Sequence, residues 1–120
     1  MNDCLFSHQC LDQEGFQIRF DFFPETVSVR DCFDDSCHDV AKLEKQIESG
    51  EYEWFIVRCT ASLCGIDLGS EVLGGNYYET FRDWLESEGT GYVAEMQYHA
   101  IQDAQNKLQE MFIKNHREID

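Results

Sequence analysis

Apolar and polar positions alternate most cleanly over residues 16–23. There Phe16, Ile18, Phe20 and Phe22 fall on one side and Gln17, Arg19 and Asp21 on the other, which predicts a half-buried strand with one wet face, ended by Pro24. Residues 51–62 predict a second strand. Tyr52, Trp54, Ile56 and Arg58 share one face and Phe55, Val57 and Cys59 the other, and two mostly apolar faces place it centrally in a sheet. Leu63-Cys64-Gly65 reads as a turn. Ile66 to Leu73 returns as a third strand, with Gly69, Gly74 and Gly75 suggesting a bulge and a sharp exit. Residues 1–15 are broken by Ser7-His8-Gln9 and Asp12-Gln13-Glu14-Gly15 and predict an arm or a short strand.

Elsewhere the period is helical. Ser28 can cap a helix running to Ser49 and stopped by Gly50, with Val29, Phe33, Val40, Leu43 and Ile47 as its apolar stripe and Asp31 completing an approximate capping box. Residues 77–87 predict a short helix with Tyr78, Phe81, Trp84 and Leu85 inward. Glu88-Gly89-Thr90-Gly91 separates it from a long final helix near residues 92–115, whose stripe includes Val93, Met96, Ala100, Ile101, Ala104, Leu108, Met111 and Phe112. The order β-α-β-β-α-α predicts an α+β fold: a mainly antiparallel sheet of about three strands with helices packed on one face. The 120 residues, with a single proline and neither repeat nor linker, form one expected domain, residues 1–120, with 1–15 as its arm.

Charge changes this picture. Nine Lys and Arg stand against 24 Asp and Glu, a formal charge of −15. Direct phosphate binding needs clustered Lys and Arg, so neither nucleic acid nor an anionic membrane is an expected partner. A basic protein is. The longest strictly apolar run, Trp54 to Val57, is too short to span a bilayer, and Met1 to Phe6 has no export signature, so cytoplasmic residence in a host bacterial cell is the expectation. The acids are uneven. Residues 1–40 and 41–100 each carry −7, and residues 101–120 only −1.

Candidate chemistry narrows quickly. The six cysteines at 4, 10, 32, 37, 59 and 64 lack a Cys-x2-Cys knuckle, and the sharpest metal group is Cys4, His8 and Cys10 with Cys37 or His38. A small zinc-binding protein is therefore one alternative, against reduced thiols packed as small hydrophobes. The glycines between Gly65 and Gly75 come without a lysine, and Asp67 and Glu71 would repel a phosphate, so a hairpin is expected there. Cys37 and His38, adjacent on a helix, point about 100° apart, a poor catalytic pairing. No cofactor, metal or catalytic residue is expected.

Asp31, Asp35 and Asp39 fall at i, i+4 and i+8 of the first predicted helix with Asp34 beside them, and Glu79, Asp83 and Glu86 fall at i, i+4 and i+7 of the second. Carboxylates one helical turn apart are spaced about 5–6 Å, a scale close to that of phosphates along a DNA strand. The common meaning of such a ridge is a solvated face, but self-repulsion at −15 weakens a compact fold and invites a functional reason. In its size, its acidity and the segment Glu53 to Tyr78, EWFIVRCTASLCGIDLGSEVLGGNYY, the chain resembles the small orphan proteins of bacteriophages and other mobile elements. It is similar in type to anti-CRISPR and antirestriction proteins, which share no signature motif. That resemblance implies a non-enzymatic inhibitor that binds a basic, nucleic-acid-binding surface of a host defence complex stoichiometrically, a CRISPR effector subunit first, and acts as a DNA mimic in one version. The expected contacts are Asp31, Asp34, Asp35, Asp39, Glu79, Asp83 and Glu86, with Tyr77 as an exposed aromatic anchor. The alternative of another class is a regulatory interaction module that homodimerises through its near-neutral final helix.

Overall fold

The computed structural model describes residues 4–34, 36, 38–86 and 92–119, with side chains through Ile113. It is an α+β fold in the order β1 (Phe6–Gln9), β2 (Gln17–Pro24), α1 (Val29–Cys32), α2 (Val40–Glu48), β3 (Glu53–Leu63), β4 (Ile66–Tyr78), α3 (Phe81–Leu85) and α4 (Tyr92–Ile119). The sheet has four strands rather than three, antiparallel throughout and in sequential order β1-β2-β3-β4. The added strand is the first part of the expected arm, with Phe6 opposite Phe22 and His8 opposite Phe20. β3 is internal, as its two apolar faces require.

Two further expectations are corrected. The single helix over 28–49 is split into α1 and α2, because its apolar stripe lapses between Phe33 and Val40. That gap holds Asp and Ser, residues whose side chains compete for backbone donors. The second is β4, which does not exit at Gly74. The register against β3 shifts between Phe55 and Val57, so Gly74 and Gly75 form a bulge inside a strand that continues to Tyr78. Gly75 takes φ +71°, a region open to glycine at little cost. The β3–β4 turn is Cys64-Gly65, both at positive φ (53° and 79°), which matches the twist of a two-residue hairpin.

The core lies on one face of the sheet and has two textures. Under α3 it is aromatic. Phe81 sits 5.0 Å from both Phe22 and Phe55, ring centre to ring centre, and the buried Trp84 meets Phe20 edge-on at 5.5 Å. The Trp84 indole N–H donates to the Asn76 Oδ1 at 3.1 Å, while the Asn76 amide donates to the carbonyls of Leu73 and Phe55. A buried amide thus ties the bulge to the aromatic core. Under α4 the core is built of small residues, with Cys59, Ala61 and Gly69 on the sheet facing Ala100 and Ala104 on the helix. A Cβ placed on Gly69 would lie 2.9 Å from the Ala104 Cα and closer still to the Ala100 carbonyl oxygen and the Ala104 nitrogen.

The helices do not all share this face. α1 and α2 cover one end of the opposite face, where Phe33 contacts the Trp54 ring at 5.7 Å and the Trp54 indole N–H donates to the Val27 carbonyl at 2.8 Å. Beyond them that face is mixed, with Phe23, Ile56 and Val72 beside a polar group around Asp21. Asp21, placed on the wet side by its alternation, is buried. It accepts from the Ser7 hydroxyl at 2.6 Å, from Arg19 at 2.9 Å and from Arg58 at 3.3 Å. Burial alone would push its carboxyl up, but those donors favour the anion more strongly and hold it below the usual range. Arg58 also lies over the Phe23 ring, 4.8 Å from its centre.

Gly69→Val is expected to destabilise the fold by about 1–3 kcal/mol or more, since strand and helix backbones must part; denaturant unfolding of an unaffected variant would show that no such contact exists. The depressed Asp21 carboxyl contributes stability that is full above its unfolded value, about 3.9, and is lost as pH falls through the lower folded value. Unfolding of Asp21→Asn followed against pH should therefore show less stability at neutrality and a flatter acid limb than the parent.

Candidate partner-binding site

The expected acid ridge does not form. Asp31 lies in α1, where its carboxylate accepts the Ser28 hydroxyl at 3.0 Å. Asp34 lies between the helices and accepts the Ser36 N–H at 2.9 Å, a bond that draws its carboxyl below the usual range. Asp39 is the N-cap of α2 and accepts the Lys42 N–H at 3.2 Å. Asp35 and Cys37 lie outside the described residues. Three carboxylates expected to face a partner at helical spacing are instead occupied with local turns and caps. The pattern was visible in advance: Ser28-x-x-Asp31 and Asp39-x-x-Lys42 are two helix starts, and the second was overlooked.

The second acidic group is also redistributed. Glu79 follows β4, Asp83 is in the first turn of α3, and Glu86 closes α3 with Arg82 at 4.0 Å. Tyr77 is in β4, not in a helix, and is half-buried rather than exposed. Its hydroxyl meets the Oε1 of Gln46 on α2.

What the structure assembles at this end of the sheet is a tyrosine pair. Tyr77 faces Trp54 across the β3–β4 ladder and is stacked on Tyr52, with ring centres 4.3 Å apart and planes 3° from parallel. The Tyr52 hydroxyl donates to Glu79 Oε1 at 3.3 Å. Partial burial first raises both phenols above the ordinary tyrosine value; Glu79 and then Glu51 add to it at Tyr52, and Tyr52 and then the same carboxylates at Tyr77. Tyr52, Glu51 and Gln46 were missed because the bulge at Gly74–Gly75 sets which residue stands opposite Trp54. A half-buried aromatic pair bordered by carboxylates suits a guanidinium, which can stack on the open part of a ring while its N–H groups reach the acids.

The charges around the site are one-sided. Each arginine whose side chain is described already has a carboxylate: Arg19 and Arg58 with Asp21, Arg30 with Glu44, and Arg82 with Glu86. Of the acids in the described residues, Asp21 alone is buried.

The described cysteines do not form one group, although Cys10 and Cys59 are neighbours. Cys4 lies beside Ser7 at 3.3 Å on the Asp21 side, while Cys10 packs towards the core and accepts from Gln97 at 3.7 Å. Among the described residues no group of three or more His, Cys, Asp or Glu could hold a metal ion. Burial pushes the Cys59 thiol up to about 12 and raises Cys10 as well, which leaves little thiolate near neutrality. No described helix is long and apolar enough to cross a membrane. No protein-family model, curated protein or solved structure matches the chain.

Because the folded phenols of Tyr52 and Tyr77 hold their protons more tightly than in the unfolded chain, stability should fall as pH rises past about 10. Phenolate absorbance should show these two titrating late, and Glu79→Gln should bring Tyr52 back towards the ordinary value. An unchanged titration in that variant would disprove the coupling.

Proposed function

We propose that the chain is a non-catalytic binding protein that docks onto a basic, nucleic-acid-binding surface of a host defence complex, a CRISPR effector subunit first, and so blocks it. The observation that carries this reading is the stacked Tyr52–Tyr77 pair bordered by Glu51 and Glu79, which suits an arginine of the partner as anchor. The −15 charge and the internal pairing of the arginines with described side chains supply an outward negative field that steers a basic partner inward. The acids are not phosphate-spaced along one helix. Asp31, Asp34 and Asp39, and Asp83 and Glu86, add to the field from their separate positions.

Pull-down from bacterial lysate with the tagged chain, washed at low and high salt, tests it. A CRISPR or restriction subunit should be retained at low salt and shed at high salt. Glu51→Lys with Glu79→Lys, a change at exposed or half-exposed positions, should weaken retention about tenfold or more, as expected for lost charge-assisted contacts. Recovery of the chain alone, or of a partner indifferent to salt and to that variant, would overturn the proposal.

A further inference from the structure

α4 is far longer than the face it covers. Its buried residues, Met96, Ala100, Ile101 and Ala104, end one turn before Leu108, which is half-buried. Beyond it Met111, Phe112 and Ile113 are 52%, 62% and 47% exposed. The 28 residues of the helix span about 42 Å at the standard rise. The chain accordingly measures 62 Å along its longest axis against 29 and 27 Å across it. Its radius of gyration is 17.6 Å, where a compact chain of this length has about 14 Å. Met111 and Phe112 stand three and four residues after Leu108, so they prolong the stripe that packs on the sheet, past the point where there is sheet to pack on.

We propose that residues 105–119 of α4 are the interface of a homodimer, in which the projecting helices of two copies lie antiparallel. Charge selects both the occupant and the direction. Residues 105–119 hold three bases against two acids, a net +1, while residues 1–104 hold six bases against 21 acids. The projection is thus the part of the chain that a second, equally acidic copy can approach without repulsion. A parallel pair would set the two acidic bodies side by side. An antiparallel pair sends them to opposite ends of a helix about 22 Å long, well beyond a screening length of about 8–10 Å. The contact is isologous and closed, and it leaves the Tyr52–Tyr77 site outside the interface. An interface of two short helix ends is small, so the association should be reversible.

Sedimentation of the full chain over a dilution series reads this directly. The mass should lie between 14.0 kDa and twice that, and fall with dilution. Met111→Glu with Phe112→Glu should be monomeric throughout, with the circular dichroism and melting temperature of the parent monomer, because neither residue belongs to the core. Met111→Leu with Phe112→Leu should retain the dimer. A parent chain that stays at 14.0 kDa at every concentration would overturn the proposal, as would a Glu variant that dimerises like the parent. A projection that binds only a different protein gives the first of these results.

Discussion

The constraint on which the rest depends is the approach of β4 to α4 at Gly69. Backbone meets backbone there, with Ala100 and Ala104 on the helix and Cys59 and Ala61 on the sheet small enough to permit it. Contact this close fixes the height of α4 above the sheet and hence the depth of the core. The aromatic half beneath α3 is then filled by Phe20, Phe22, Phe55, Phe81 and Trp84. A larger residue at any of the small positions would tilt the helix and open the aromatic half. The aromatic core in turn holds Asn76, and Asn76 holds the bulge that sets Tyr77 opposite Trp54. The candidate site is therefore positioned by packing that lies on the other face of the sheet.

The acidity works on a different principle. Few of the carboxylates are structural in the sense of being buried. Asp21 is the exception, and its three donors show what burial of an anion requires. Most of the others meet water and repel one another. The arginines with described side chains are held in pairs within the fold, so the surface potential of residues 1–104, with six bases against 21 acids, is dominated by acids. A molecule arranged in this way gains solubility and long-range attraction for cations, at a cost in stability that the tight Gly69 seam and the aromatic core must offset.

Much of the fold was legible in the sequence. The alternation from Phe16 to Phe22, the doubly apolar β3, the Cys64-Gly65 turn and the stripe of α4 each come from a period that a single packed face imposes. β1 was legible only as one of two readings of residues 1–15, an arm or a short strand, because four residues are too few to establish a period and its pairing with β2 is not local. The break between α1 and α2 is hidden because Val29, Phe33 and Val40 read as one helical stripe, whereas Asp34 and Asp39 accept local backbone N–H groups instead. At the site, Tyr77 and Glu79 were named from sequence, but for a helix they do not form. Their meeting with Tyr52 depends on a bulge, which changes register without changing hydrophobic pattern.

β4 forms one rim of the sheet, and two of its amide N–H groups are already taken. Asp103 of α4 accepts from Ser70 at 3.0 Å, and Glu25 accepts from Gly75 at 3.1 Å. Side chains with no donor of their own thus close a rim that could otherwise accept another strand and grow into a fibril. At these two positions the rim is occupied by the same carboxylate chemistry that gives the surface its sign.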